Sequence, residues 1–315
     1  MSGDADDSSG PDSDDSSGSD DSPGFSLRDR VADALGTDVE SVAELDGGEV
    51  GRVARVALAD GRTAAAKTGE TPLGTEAFML EFLSDRGLPV PEVYHRTDAL
   101  LVLEYVEGDS EVTPAGERDA ARHLAALHRE RPEETAGRED GPGRNYGFPR
   151  DTLTGPYRQP NRWTDSWVAF FRDRRLRHFA RKAREAGVLP SDLSNRLDAL
   201  ARDLDSLLPD DPPPALLHGD VWANNVLADG GRVRAFLDPA CYFGHAEVEL
   251  AYVAFAGSFG DAFFEAYDAE RGIDPGFREG RRAVYQLVPL LEHLLYFGDE
   301  RYAAGIDGRL TGLGY

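Results

Sequence analysis

His218-Gly219-Asp220-Val221-Trp222-Ala223-Asn224-Asn225 follows the apolar pair Leu216-Leu217 and precedes a stretch that reads as a β-hairpin, Val226 to Leu237, with Asp229-Gly230-Gly231 as its turn. An aspartate just after a strand, followed five positions later by an asparagine, has the spacing of a phosphotransfer loop. In such a loop the carboxylate orients an acceptor hydroxyl and the amide oxygen takes a magnesium ion. The hairpin returns the chain to the same mouth. Its second strand, Val233-Arg234-Ala235-Phe236-Leu237, delivers Asp238 eighteen residues after Asp220, where a carboxylate would hold the metal that bridges nucleotide phosphates. A His-Gly-Asp alone reads equally well as a surface turn; Asn225 and Asp238 separate this one from that reading.

Phosphotransfer also needs a cation on the nucleotide phosphates. Lys67 ends the strand Arg62 to Thr68 that returns from the Asp60-Gly61 turn, and Lys67 and Lys182 are the only lysines in the chain. A lysine kept in a sequence that otherwise uses arginine points to a chemical role. Glu76 or Glu81, on a helix expected over Glu76 to Arg86, is placed to pair with it. The glycine-rich turn Asp46-Gly47-Gly48-Glu49-Val50-Gly51 offers Gly47 and Gly48 for backbone approach to phosphates, without the full G-x-G-x-x-G spacing. Glu104-Tyr105-Val106-Glu107-Gly108 follows the apolar strand Ala99 to Leu103, so backbone groups of Glu104 and Val106 can meet an adenine edge.

These pieces define the layout. Residues 1–24 are an acidic tail with eight Asp, no basic residue and no large apolar side chain to bury, a composition that predicts disorder. A helix is expected over Leu27 to Leu35, stopped by Gly36, and then strands through Thr68. After Gly108 helical patterns dominate: Pro114 to Arg129, Trp163 to Ala186, Ser191 to Leu208, Gly260 to Arg271 and Gly276 to Phe297. The predicted fold is α+β and bilobal, protein-kinase-like, with a small β-rich nucleotide-binding lobe over residues 25–107 and a larger helical lobe over 108–315.

The net charge of -24, from 58 acidic against 34 basic residues, argues against nucleic-acid or anionic-membrane partners. With the scarcity of lysine it reads as a salt-adapted, halophilic protein. Cys241 is the only cysteine, which excludes an intrachain disulfide and fits a cytoplasmic setting. No apolar run approaches the length of a membrane span, and the N-terminus has no signal-peptide pattern.

At these residues the sequence resembles the fructosamine-3-kinase (ketosamine kinase) family, a branch of the kinase-like small-molecule phosphotransferases. The likeness covers roughly Gly36 to the C-terminus. It is carried by the tryptophan in His218-Gly219-Asp220-Val221-Trp222, by Asp238-Pro239-Ala240, and by Gly244-His245-Ala246-Glu247-Val248-Glu249-Leu250-Ala251. The resemblance implies ATP and Mg2+ as cofactors, Asp220 as the catalytic carboxylate, Glu76 as the partner of Lys67, and Asn225 and Asp238 on the metal. It further implies a small-molecule ketosamine or glycated amine as substrate, phosphorylated on the 3-hydroxyl in a deglycation repair. Trp222 would stack on the sugar or its substituent, and His245 would contact substrate or orient the Asp238 loop. Glu247 and Glu249 would fix helix-start and loop contacts, and His123 and His128 read as structural. Two departures stand out: Ala223-Asn224 where a small residue and glycine are common, and Glu49 where many members carry cysteine. The rival readings are a kinase for another hydroxylated metabolite, such as an aminoglycoside, choline or a sugar, and a kinase-like binding module without catalysis.

Overall fold

The computed structural model describes residues 26–45, 51–132 and 145–315; the acidic tail and the turn residues Gly47, Gly48 and Glu49 lie outside them. The N-terminal part opens with α1 (Leu27–Leu35), closed in front by a Ser26–Asp29 capping box and behind by Gly36 in the left-handed conformation. Strands β1 (Val39–Leu45), β2 (Arg52–Leu58) and β3 (Thr63–Thr68) follow, then helix α2 (Leu73–Ser84) and strands β4 (Val93–Arg96) and β5 (Leu101–Glu104). They form one antiparallel sheet in the order β1-β2-β3-β5-β4.

Alternation along the strands sorts side chains to two faces. Ala64 and Ala66 of β3 and Val102 of β5 pack with Val31 of α1. Leu101 and Leu103 of β5 pack with Leu73, Ala77 and Leu80 of α2. Lys67 has the opposite parity to Ala64 and Ala66, so its side chain emerges on the α2 face. The other side of α2 buries Met79 and Leu83 in the main core of the C-terminal part, making this helix the bridge between the two halves.

That second half begins with α3 (Pro114–Leu127), capped by Thr113, and the short hairpin β6 (Thr152–Thr154) and β7 (Tyr157–Gln159). The helices α4 (Trp167–Phe170), α5 (Arg177–Glu185) and α6 (Ser191–Leu207) come next, with a π-turn over Phe171–Leu176 between the first two. Strand β8 (Pro214–Leu217), the hairpin β9 (Val226–Asp229) and β10 (Arg232–Phe236), and β11 (Tyr242–His245) carry the motif residues. The chain ends with α7 (Ala246–Ala256), α8 (Asp261–Arg271), α9 (Arg282–Phe297) and α10 (Glu300–Gly312).

Several boundaries differ from the sequence reading. Helix α2 starts at Leu73, ahead of Glu76, and β4 was not anticipated, because an edge strand of four residues shows no usable alternation. The stretch expected as one helix from Trp163 starts at Trp167 and contains the π-turn, and the one expected from Gly276 has a π-turn over Phe277–Arg281 before α9. Helix α10 escaped notice because Gly305, Gly308 and Gly312 depress its propensity. Tertiary packing decides in its favour: a Cβ on Gly305 would sit 2.6 Å from Leu290 of α9. Among the described residues no helix is long and apolar enough to cross a membrane.

Candidate active site

Lys67 Nζ donates to Glu76 Oε1 at 2.7 Å and also contacts Asp238 Oδ1, so one ammonium joins α2 to the segment after β10. Burial opposes its charge, but the two carboxylates outweigh burial and raise the Lys67 pKa. In the same cluster burial and the Asp238 charge raise Glu76, while Lys67, working against burial, holds Asp238 below the usual carboxylate range. The alternative partner, Glu81, is engaged elsewhere, with Arg96. Asp238 is the only described non-glycine residue at positive φ, +53°. This backbone turns the carboxylate into the cleft, where half of its side-chain surface remains exposed.

The 218–225 loop is held from below. Glu249, on the first turns of α7, is buried and accepts from the backbone N–H groups of His218 (3.2 Å) and Gly219 (2.6 Å). Its Oε2 also lies 2.8 Å from His128 Nε2, and His128 Nδ1 lies 2.6 Å from the Tyr267 hydroxyl. Burial raises the Glu249 carboxyl, but His128 and the loop N–H groups prevail and keep it ionised below its ordinary value. Burial keeps His128 neutral, so Nε2–H donates to Glu249 and Nδ1 accepts from Tyr267. Both residues therefore act as structural supports, as the sequence implied. Gly219 has φ +93°, and a Cβ there would meet the Ala240 carbonyl oxygen at 2.3 Å. Only glycine lets the loop cross under the Asp238-Pro239-Ala240 segment.

Asp220 emerges from this support with both carboxylate oxygens engaged. Asn225 Nδ2 donates to Oδ2 at 2.8 Å and to the Asp220 carbonyl at 3.0 Å, and Tyr252 Oη donates to Oδ1 at 2.5 Å. With its amide nitrogen so committed, Asn225 has its side-chain oxygen left for a cation. Together with the half-exposed Asp238 carboxylate it makes an all-oxygen donor pair that fits Mg2+.

Val106, in the connection leaving β5, makes no backbone hydrogen bond with a described residue, whereas the Glu104 and Tyr105 N–H groups bond to Glu92 and Thr63 carbonyls. Trp222 is partly buried, lies outside the hydrophobic core and has no aromatic neighbour among the described residues. His245 is enclosed instead: its Nδ1 takes the Tyr285 hydroxyl at 2.8 Å, Tyr285 in turn accepts from Trp167 Nε1, and burial pushes the imidazole down to about 3. Glu247 forms a two-pronged ion pair with Arg281. Sequence reasoning missed Tyr252, which sits on the middle turn of α7 and carries no local signature.

A sheet with a lysine–glutamate pair, facing an aspartate–asparagine loop and a second aspartate, defines a phosphotransferase of the protein-kinase-like class. The comparisons place the chain within it. The model of the fructosamine kinase family matches residues 29–308, and the protein belongs to that family. A Synechocystis protein assigned as a ketoamine kinase is 35% identical over 63% of this chain, and mouse ketosamine-3-kinase is 38% identical over 49% of it. These alignments span 62% and 49% of the two relatives. A crystal structure from Thermobifida fusca, assigned to fructosamine-3-kinase, superimposes with TM-score 0.80 at 30% identity, covering 92% of this chain and 99% of that one. An aminoglycoside phosphotransferase bound to ADP and hygromycin B shares the fold, with TM-score 0.65 at 18% identity over 92% of this chain and 98% of that one.

Proposed function

We propose that this protein is an ATP-dependent kinase that phosphorylates the 3-hydroxyl of ketosamines, small sugar–amine adducts, as a cytoplasmic deglycation activity. The observation that carries the reading is the Asp220 carboxylate, fixed by Asn225 and Tyr252 and opposed across the cleft by the Lys67–Glu76–Asp238 cluster. In the reaction the substrate hydroxyl donates to Asp220 while its oxygen forms a bond to the γ-phosphorus. The bond from that phosphorus to the bridging oxygen of ADP breaks, and the hydroxyl proton passes to Asp220. Lys67 neutralises the α and β phosphates, Glu76 fixes its reach, and Val106 with Glu104 meets the adenine edge. Asn225 and Asp238 would hold Mg2+, which supplies charge neutralisation on the phosphates. Trp222, partly buried and without an aromatic neighbour among the described residues, offers its face to the sugar or its substituent. His245, bonded to Tyr285, shapes the β11–α7 corner from within.

The test is ADP release with a ribulosamine, a fructosamine, the free sugar, an aminoglycoside and choline, in high potassium chloride, with Asp220→Asn as control. Turnover on a ketosamine that Asp220→Asn abolishes is the expected result. Activity on an aminoglycoside or choline with none on either ketosamine would replace the substrate assignment, and a folded protein with no phosphotransfer at all would support a binding module.

A further inference from the structure

We propose that Met79 is a positioning residue for phosphotransfer: its thioether holds the backbone that carries Asp238 and keeps that carboxylate in register with Glu76 while Lys67 serves the nucleotide. The proposal rests on the kinase reading above. Besides Met1, Met79 is the only methionine of the chain. It is buried on α2, and its Sδ accepts from the buried Cys241 backbone N–H at 3.3 Å. Glu76 lies three positions before Met79, and Asp238 three positions before Cys241. The contact is thus a second rung beside the one formed by Glu76, Lys67 and Asp238. One turn further along α2, Phe82 supplies a third, its ring edge-on to Phe243 (6.2 Å) and to Phe148 (4.8 Å). Gly147, beside Phe148, exchanges backbone hydrogen bonds with Phe243. Residues 76, 79 and 82, on one face of the helix, therefore run alongside residues 238–243.

The rungs differ in what a nucleotide does to them. Binding of the α and β phosphates draws on the same ammonium that joins Glu76 to Asp238, so the ionic rung is rearranged as the site fills. The Met79 thioether and the Cys241 N–H carry no charge and are closed off from solvent, so their contact persists. Asp238 needs such a hold, because its backbone at φ +53° is one that an aspartate keeps only where its surroundings fix it. On one side the Leu237 N–H donates to the Asn225 carbonyl (2.9 Å) and the Ala240 N–H to the His218 carbonyl (2.8 Å), which ties the segment to the 218–225 loop. On the other side the Cys241 N–H ties it to α2. Asp238 is thereby placed from the catalytic loop and from the nucleotide-binding half at once. A thioether suits this duty, since it offers an acceptor to a buried N–H without bringing a strongly hydrated group into the core. Leucine would fill the same space and accept nothing.

The test separates the acceptor from the packing. Met79→Leu keeps the volume and removes the acceptor, and Met79→Gln returns an acceptor oxygen. Leu200→Val, a loss of buried volume on α6, calibrates a purely structural defect. Each protein is compared with wild type by calorimetric binding of ADP with magnesium, by the KM for ATP and kcat, and by a thermal melt. The expected result is that Met79→Leu weakens ADP binding and raises the KM for ATP roughly fivefold or more, and that Met79→Gln brings both back to within about twofold of wild type. Leu200→Val should lower the melting temperature and leave ADP binding as it was. Equal ADP binding by wild type and Met79→Leu would overturn the proposal. So would a folded Met79→Gln that shares the loss in full, because packing would then account for it. If Met79→Gln does not fold, Met79→Leu against Leu200→Val decides: weaker binding in the first alone supports the role, and weaker binding in both removes it. A wild-type protein that binds no nucleotide fails the kinase reading itself and this inference with it, whereas binding and turnover that Met79→Leu leaves intact sink only the role of Met79.

Discussion

Tyr252 donates its hydroxyl to Asp220 Oδ1 while Asn225 donates to Oδ2, so the carboxylate is gripped from α7 on one side and from its own loop on the other. Glu249, three residues before Tyr252 and on the same face of α7, pins the backbone of that loop. One helix therefore sets both where Asp220 sits and how its plane is turned, an arrangement suited to positioning an acceptor hydroxyl. Tyr252→Phe removes the outer grip and keeps the ring. The expected outcome is a fall in kcat of about tenfold with the KM for ATP and the melting temperature nearly unchanged, read from steady-state kinetics and a thermal melt. An unaltered kcat would show that Asn225 alone orients the carboxylate.

Glu249 carries a heavier structural duty. Glu249→Ala leaves the His218 and Gly219 N–H groups and the His128 ring without their buried acceptor, and should cost about 3–5 kcal/mol of stability. Denaturant titration of the two proteins measures this, and a loss below about 1 kcal/mol would mean that water replaces the carboxylate.

Much of this site was legible because its chemistry is local. Asp220 and Asn225 share one loop and Asp238 returns on a hairpin, so short-range spacing was enough to group these three; Lys67, 171 positions from Asp238, was singled out by its own strand-end position and scarcity. The supports were less so. Glu249 was expected only to fix helix-start and loop contacts, while Tyr252 reaches Asp220 from 32 positions along the chain, where spacing says nothing about contact. Glu76 and Glu81 could not be separated by periodicity; Arg96, on an edge strand invisible to pattern reading, settles the choice by engaging Glu81.

The titration of buried groups predicts how stability varies with pH. Burial keeps His245 (about 3) and His178 (about 4) neutral in the folded state and lowers His128 and His218 as well. The unfolded chain binds protons on these groups from about pH 6.5 downward, so stability falls as pH drops from there towards 4. Glu292 works in the opposite sense: its folded pKa of about 8 lies above its unfolded value, so its contribution is complete in acid and is lost as pH rises towards 8. Melting temperatures should therefore peak near pH 6.5, where the histidine effect is complete and only the Glu292 loss continues. Glu292→Gln should flatten the alkaline side alone, and a variant that flattened the acid side instead would contradict the assignment.

The Lys67 cluster yields the sharpest functional test, because the ammonium stands between Glu76 and Asp238 and each carboxylate has a different duty. Lys67→Met removes the phosphate cation and leaves two carboxylates facing one another. Turnover should drop on the order of a hundredfold or more. Glu76→Gln keeps the ammonium and its contact with Asp238 but frees its reach. A drop of about tenfold is expected, with most of the change in the KM for ATP. Glu81→Gln, whose carboxylate is engaged by Arg96 at the sheet edge, should leave the kinetics within about twofold of wild type. If Glu81→Gln instead proved as damaging as Glu76→Gln, the lysine would have to exchange partners during turnover, and the resting pair would not be the catalytic one.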